Sequence, residues 1–115
     1  MRLLAVASSL LVWACSPEPT SSIDGAKLFG SYCASCHGPR GKPDQVMAAR
    51  LGVRDLTARD VRMRLTPELV ESQIRNGSQN KQMPSFSSLL GDPQIKALAA
   101  YVTSPAFVAP ANPAP

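Results

Sequence analysis

The chain has a single histidine and three cysteines among its 115 residues. A structural zinc site needs four ligands, usually two cysteine pairs or one pair with two histidines. Cys33, Cys36 and His37 lie together, but the third cysteine, Cys15, is far upstream in an apolar segment, so the set falls short. No stretch alternates apolar and polar residues as a half-buried strand does. That absence removes the strand a thioredoxin-like redox pair needs ahead of its cysteines. No apolar run is long enough to cross a bilayer. Aromatic and basic residues do not interleave, which argues against a nucleic-acid partner. The only tryptophan is Trp13, inside the N-terminal apolar run.

Length allows at most one small domain, and both ends are set apart from it. Arg2 followed by the apolar run Leu3 to Ala14 has the composition of a secretory signal, so residues 1–14 are read as one. Val12-Trp13-Ala14-Cys15 resembles a bacterial lipoprotein cleavage site, with cleavage before Cys15 and lipidation of that cysteine, although Trp13 departs from the usual residue at its place. An ordinary signal with a free Cys15 is the alternative, but a lone thiol would be out of place in an oxidising compartment. Residues 15–22 hold two prolines and four Ser/Thr after Cys15 and read as a tether. Fully extended, its last seven residues reach about 25 Å, which keeps an anchored domain near its membrane. Residues 105–115 contain four prolines spaced by alanines and are expected to form a polyproline-like disordered tail. The domain is then 23–104.

The central motif is Cys33-Ala34-Ser35-Cys36-His37. Two cysteines three apart with a histidine directly after the second form the attachment pattern of c-type haem. On one helical turn both sulfurs reach the same side, one for each vinyl group of a porphyrin, and His37 follows as the proximal iron ligand. A simple disulfide leaves His37 unexplained. A domain of this size is marginal on side-chain burial alone, and a buried haem would supply much of its apolar interior.

The remaining signals are helical. Asp24 is an N-cap with Ile23 and Leu28 as a hydrophobic staple. Gly25, Leu28, Phe29 and Tyr32 share a face, and Gly25 inside a helix calls for a close neighbour. A loop follows from Gly38 to Pro43, then a short helix over Asp44 to Leu51 ending at Gly52, and no regular structure is assigned from Gly52 to Arg64. Thr66 caps a helix with Pro67 at its first position and Leu69, Val70 and Ile74 as its buried stripe. Asp92 caps the last helix, in which Ile95, Leu98, Ala99 and Val102 recur at helical spacing. The expected fold is all-α, with three to five short helices around one haem.

Met83 stands before Pro84, which drives it into extended backbone and lets its thioether project across a cavity. A soft thioether suits the second axial position of a haem iron and raises its potential relative to a second histidine. Met47 and Met63 are rivals without such local punctuation. Seven basic residues between Arg40 and Arg64 face three aspartates. They read as a solvated face, as a docking surface for an acidic redox partner, or as neutralisers of the haem propionates.

Gly25, Leu28 and Phe29 before Cys33, Cys36, His37 and Gly38, then Ile74 and Gly77, Met83-Pro84 with Phe86, and Leu98 with Tyr101 resemble class I cytochrome c, over residues 24–104. The resemblance implies that the first and last helices cross closely, with Gly25 and Phe29 against Leu98 and Tyr101. It also implies a proline after the haem motif whose carbonyl binds the proximal histidine. Leu51 to Leu56 lacks that proline, so a carbonyl near Pro39 or Pro43 is expected to orient His37, or the ligand field is softer. Arg54 and Arg59 are candidates to hold a propionate where no tryptophan is available.

Iron held by both His37 and Met83 has no open position, leaving one-electron exchange. The expected function is a non-enzymatic electron carrier in a bacterial respiratory chain. It would lie in the periplasm or on the extracytoplasmic membrane surface, anchored through Cys15. Its expected partners are a quinol-linked donor or dehydrogenase and a terminal oxidase or reductase. The competing readings are a haem sensor or peroxidase-like enzyme with a labile Met83, and a haem subunit of a larger membrane complex.

Overall fold

The computed structural model of the protein describes residues 22–110. The signal segment, Cys15, nearly all of the tether and the last five residues lie outside the described part. Seven helical segments follow one another: α1 (Gly25–Tyr32), α2 (Ala34–His37), α3 (Gln45–Leu51), α4 (Arg59–Arg62), α5 (Pro67–Asn76), α6 (Asp92–Thr103) and α7 (Pro105–Val108). No strand occurs among the described residues. The all-α class is as expected. The helix count among the described residues exceeds the expected three to five because single turns form at α2, α4 and α7.

Capping chemistry fixes where the helices begin. The Asp24 carboxylate accepts from the Ala26 and Lys27 N–H groups, Asp44 from Met47, and Thr66 Oγ from Leu69, each satisfying a donor that the first helical turn leaves free. Gly52, in the left-handed region, ends α3. At α6 the expectation is corrected by one residue. Gly91 is the cap and Asp92 is already helical, because the Gln94 side chain closes the box onto the Gly91 N–H. Asp92 instead binds Arg75 of α5 at 2.6 Å.

Helix α6 is the hub, packing against α1, α5 and α7. Ile95, Leu98, Ala99 and Val102 make its buried stripe, met by Phe29 of α1, Val70 and Ile74 of α5, Leu90, and Phe107 of α7. The α1–α6 crossing is as close as Gly25 requires. A Cβ at Gly25 would sit on the Ala97 carbonyl oxygen and 2.8 Å from Tyr101 Cβ.

The C-terminal boundary is also corrected. Residues 105–108 are not tail: they form α7, and Phe107 is 2% exposed within the core. Prolines and alanines around it masked a single large apolar side chain, and Pro105 starts a helical turn as readily as it stops one. Leu69, expected in the buried stripe of α5, is 57% exposed and lies instead on the wall of a cavity.

Candidate functional site

Cys33 is the joint between α1 and α2. Its carbonyl accepts from both the Cys36 and the His37 N–H, at 3.2 and 2.9 Å. The motif is therefore one closed helical turn, with Cys36 and His37 brought back over Cys33. Gly38 ends the turn at φ +77°, where a Cβ would strike the Lys42 carbonyl, so the chain leaves His37 along a fixed path.

Both thiols are free and half-buried. Burial, and then the neighbouring Cys36, push the Cys33 thiol up to about 11. The strand that a thioredoxin-like pair needs ahead of its cysteines does not occur among the described residues. No group of three or more metal-binding side chains of the His, Cys, Asp and Glu set occurs among the described residues.

Burial lowers the His37 pKa, and the Arg54 backbone acts in the opposite direction. His37 Nδ1 is buried without a partner at hydrogen-bond geometry, so the Arg54 contact does not satisfy it. The backbone group that acts on His37 is that of Arg54, within Leu51 to Leu56, rather than one near Pro39 or Pro43 as expected.

Cys33, Cys36, His37 and Met83 line a single cavity of about 560 Å³, a size typical of small-molecule and cofactor sites. Its body is apolar, built by Phe29, Val70, Leu98 and Val102 among others. Of the methionines Met47, Met63 and Met83, only Met83 reaches it, and Met63 is 72% exposed. A polar recess formed by Arg54, Gln73 and the Gly77–Asn80 turn opens beside the cavity and shares Arg54, Gln73, Ser78 and Asn80 with it. Arg54 thus stands where a carboxylate of a large apolar ligand could be met, while Arg59 lines neither space.

The Met83 loop is held at its base. The Ser78 N–H donates to the Met83 carbonyl, and Ser78 Oγ accepts from the Met83 N–H, both at 2.9 Å. Phe86 N–H donates to the Ile74 carbonyl at 2.9 Å, fastening the far side to α5. Gly77 is required here, since a Cβ would meet the backbone of Met83, Pro84 and Ser85. Sequence reasoning named Gly77 within the family pattern and missed Ser78, although a serine in a turn can bond nearby backbone through its hydroxyl.

Residues 22–102 match the family model described as cytochrome C oxidase, cbb3-type, subunit III. The chain belongs to the class I cytochromes c. It is 32% identical over 95 residues to a cytochrome c6 of Synechococcus sp., covering 82% of this chain and 80% of that one. With a cytochrome c6 of Nostoc sp. the identity is 33% over 101 residues, covering 87% and 85%. A solved structure, the KustC0563 c-type cytochrome, superposes with a TM-score of 0.64 at 31% identity, over 70% of this chain and 95% of that one.

The cytochrome carries covalently bound haem c and is a haem-based electron carrier. Its residues fit that group. The cavity pairs a broad apolar interior with one polar margin, as an apolar macrocycle bearing carboxylates demands, and His37 lies on its wall with both motif cysteines. No helix among the described residues is long and apolar enough to cross a membrane.

Proposed function

We propose that this cytochrome is a one-electron carrier whose haem is attached through Cys33 and Cys36 and ligated by His37 and Met83. One observation carries the reading. Three residues from a single helical turn and one from a loop fifty residues later meet in the same cavity, and the rival methionines do not. Bound haem supplies reversible exchange between ferrous and ferric iron. Cys33 and Cys36 would hold the group covalently through thioether bonds, and His37 and Met83 would ligate its iron. The apolar walls would exclude water. With both ligands supplied by the chain, the group would be left to electron exchange rather than to a substrate.

The absorption spectrum of the purified protein tests this, oxidised and reduced, with and without carbon monoxide. Haem should remain with the chain after denaturation, and the reduced protein should not take up carbon monoxide. Haem released on denaturation would sink the attachment through Cys33 and Cys36. Ready uptake of carbon monoxide would instead favour the sensor or peroxidase-like reading with a labile Met83.

The working site is a bacterial respiratory chain, outside the cytoplasmic membrane or in the periplasm. There the carrier runs between a quinol-linked donor or dehydrogenase and a terminal oxidase or reductase. Support comes from the signal-like residues 1–14 and from Cys15, which is proposed to be lipidated; mass spectrometry of the mature N-terminus checks both. A second reading, a haem subunit of a larger membrane complex, is favoured by the oxidase-subunit description of the matching family. Purification from native membranes separates the two, since a free carrier should come away alone.

A further inference from the structure

The turn α7 takes no part in lining the cavity, yet several contacts fasten it to the rest of the domain. Phe107 packs edge-on against Phe29 and Tyr101, with ring centroids 5.1 and 5.3 Å away. Such pairs contribute beyond simple burial. Above its ring, at 5.4 Å, lies the guanidinium of Arg62 in α4. Arg62 also donates to the Val102 carbonyl and, at 3.1 Å, to the Ser104 carbonyl. Those acceptors belong to the end of α6, where helix carbonyls lack internal partners and the helix dipole favours a cation.

The same turn reaches the loop that follows His37. The Phe107 ring lies flush against Gly41, so that a Cβ there would come within 2.5 Å of Phe107 Cε1. One residue earlier in the loop, Arg40 donates to the Ala109 carbonyl. Gly41 in turn accepts from the Leu56 N–H at 2.8 Å, and Leu56 is a wall of the cavity beside His37. The Phe107 ring and Arg40 therefore join α7 to the loop after His37, one backbone bond carries that loop on to Leu56, and Arg62 ties α4 and the end of α6 to the same turn.

We propose that residues 104–109 form a clasp on the proximal side of the haem, with Phe107 and Arg62 as positioning residues that fix His37 through Gly41 and Leu56. The clasp rests on His37 being an iron ligand. In a chain without the usual proline beside the proximal histidine, this outer fastening replaces local stiffness with a tether from the far end of the domain.

Haem-loaded full-length protein tests it with two conservative changes. Phe107→Leu keeps an apolar plug but loses the ring, and Arg62→Lys keeps the charge but cannot bond two carbonyls in one fork. Leu90→Ala, a core change in the segment before α6, is the control for general loosening. Two readouts are followed: amide-exchange protection at Leu56, and the paramagnetically shifted ring resonances of His37 in the oxidised protein. Each clasp variant should lower Leu56 protection by about tenfold or more relative to the control and displace the His37 resonances. The Ser78 and Phe86 amides on the Met83 side should keep theirs. Either variant with both readouts at wild-type values overturns the role given to that residue. An unshifted His37 in the wild type would overturn His37 ligation itself, and the clasp with it.

Discussion

Ser78 holds the backbone of Met83 from both sides, accepting its N–H on Oγ and donating its own N–H to the Met83 carbonyl. A thioether ligand is a weak donor on a flexible side chain, so where its backbone sits decides how firmly it can bind. Ser78→Ala removes one of the two bonds and leaves the half-buried Met83 N–H without its partner, at a cost of about 1–3 kcal/mol. On the proposed ligation by Met83, the wild type should refuse carbon monoxide, the reduced Ser78→Ala variant should take it up, and Ser78→Thr should restore the refusal. Equal behaviour of all three proteins would place control of Met83 elsewhere.

Arg54 and Arg59 are separated by the structure although the sequence treated them alike. Arg54 lines both the cavity and its polar recess; Arg59 is exposed and lines neither. Removing a cation near the iron favours the ferric state, so Arg54→Ala should lower the midpoint potential by an amount on the order of tens of millivolts. Arg59→Ala should leave it unchanged. Potentiometric titration of both variants decides the point.

Gly25→Ala should destabilise the haem-loaded protein, against helix propensity. Alanine is favoured over glycine inside a helix by about 1 kcal/mol. Here its methyl would press on the Ala97 carbonyl and on Tyr101 Cβ, and overpacking of that kind costs about 1–3 kcal/mol. Denaturant unfolding should show a lower midpoint for the variant. A higher one would mean that α1 and α6 can slide apart cheaply.

The Asp55 carboxyl is held below its ordinary value of 3.8, first by the Thr57 hydroxyl and further by the Thr57 amide. A carboxylate with a depressed folded pKa stabilises the fold above its unfolded pKa and loses that contribution as pH falls through the folded value. Thr57→Val should therefore be less stable than wild type near neutral pH, with the gap closing as pH falls below 3.8. An NMR titration should show the Asp55 pKa moving up toward the ordinary value.

The features legible in the sequence were those written in local chemistry. Asp24, Asp44 and Thr66 mark helix starts because their side chains answer the N–H groups just after them. The spacing of Cys33, Cys36 and His37 announces its own cofactor. Gly25 even implied a neighbour before that neighbour was known. What escaped was long-range or diluted. Phe107 stands among prolines and alanines that suggest disorder, and only its contact with Phe29, far earlier in the chain, reveals it as core. Arg62 looked like one more member of a basic stretch, because nothing local shows that its partners are carbonyls about forty residues away. Leu69 was assigned to packing by periodicity, which cannot tell a protein core from a cofactor wall.

The crossing of α1 and α6 has a bearing on how the molecule comes into being. Phe29 belongs to the first helix and Leu98 and Val102 to the last long one, and all three are walls of the same chamber. During synthesis the chamber cannot exist until nearly the whole domain has been made, whereas Cys33, Cys36 and His37 are finished early. On the proposed attachment through Cys33 and Cys36, a chain still unfolded would present the complete motif to its prosthetic group, and the later helices would close the walls around it.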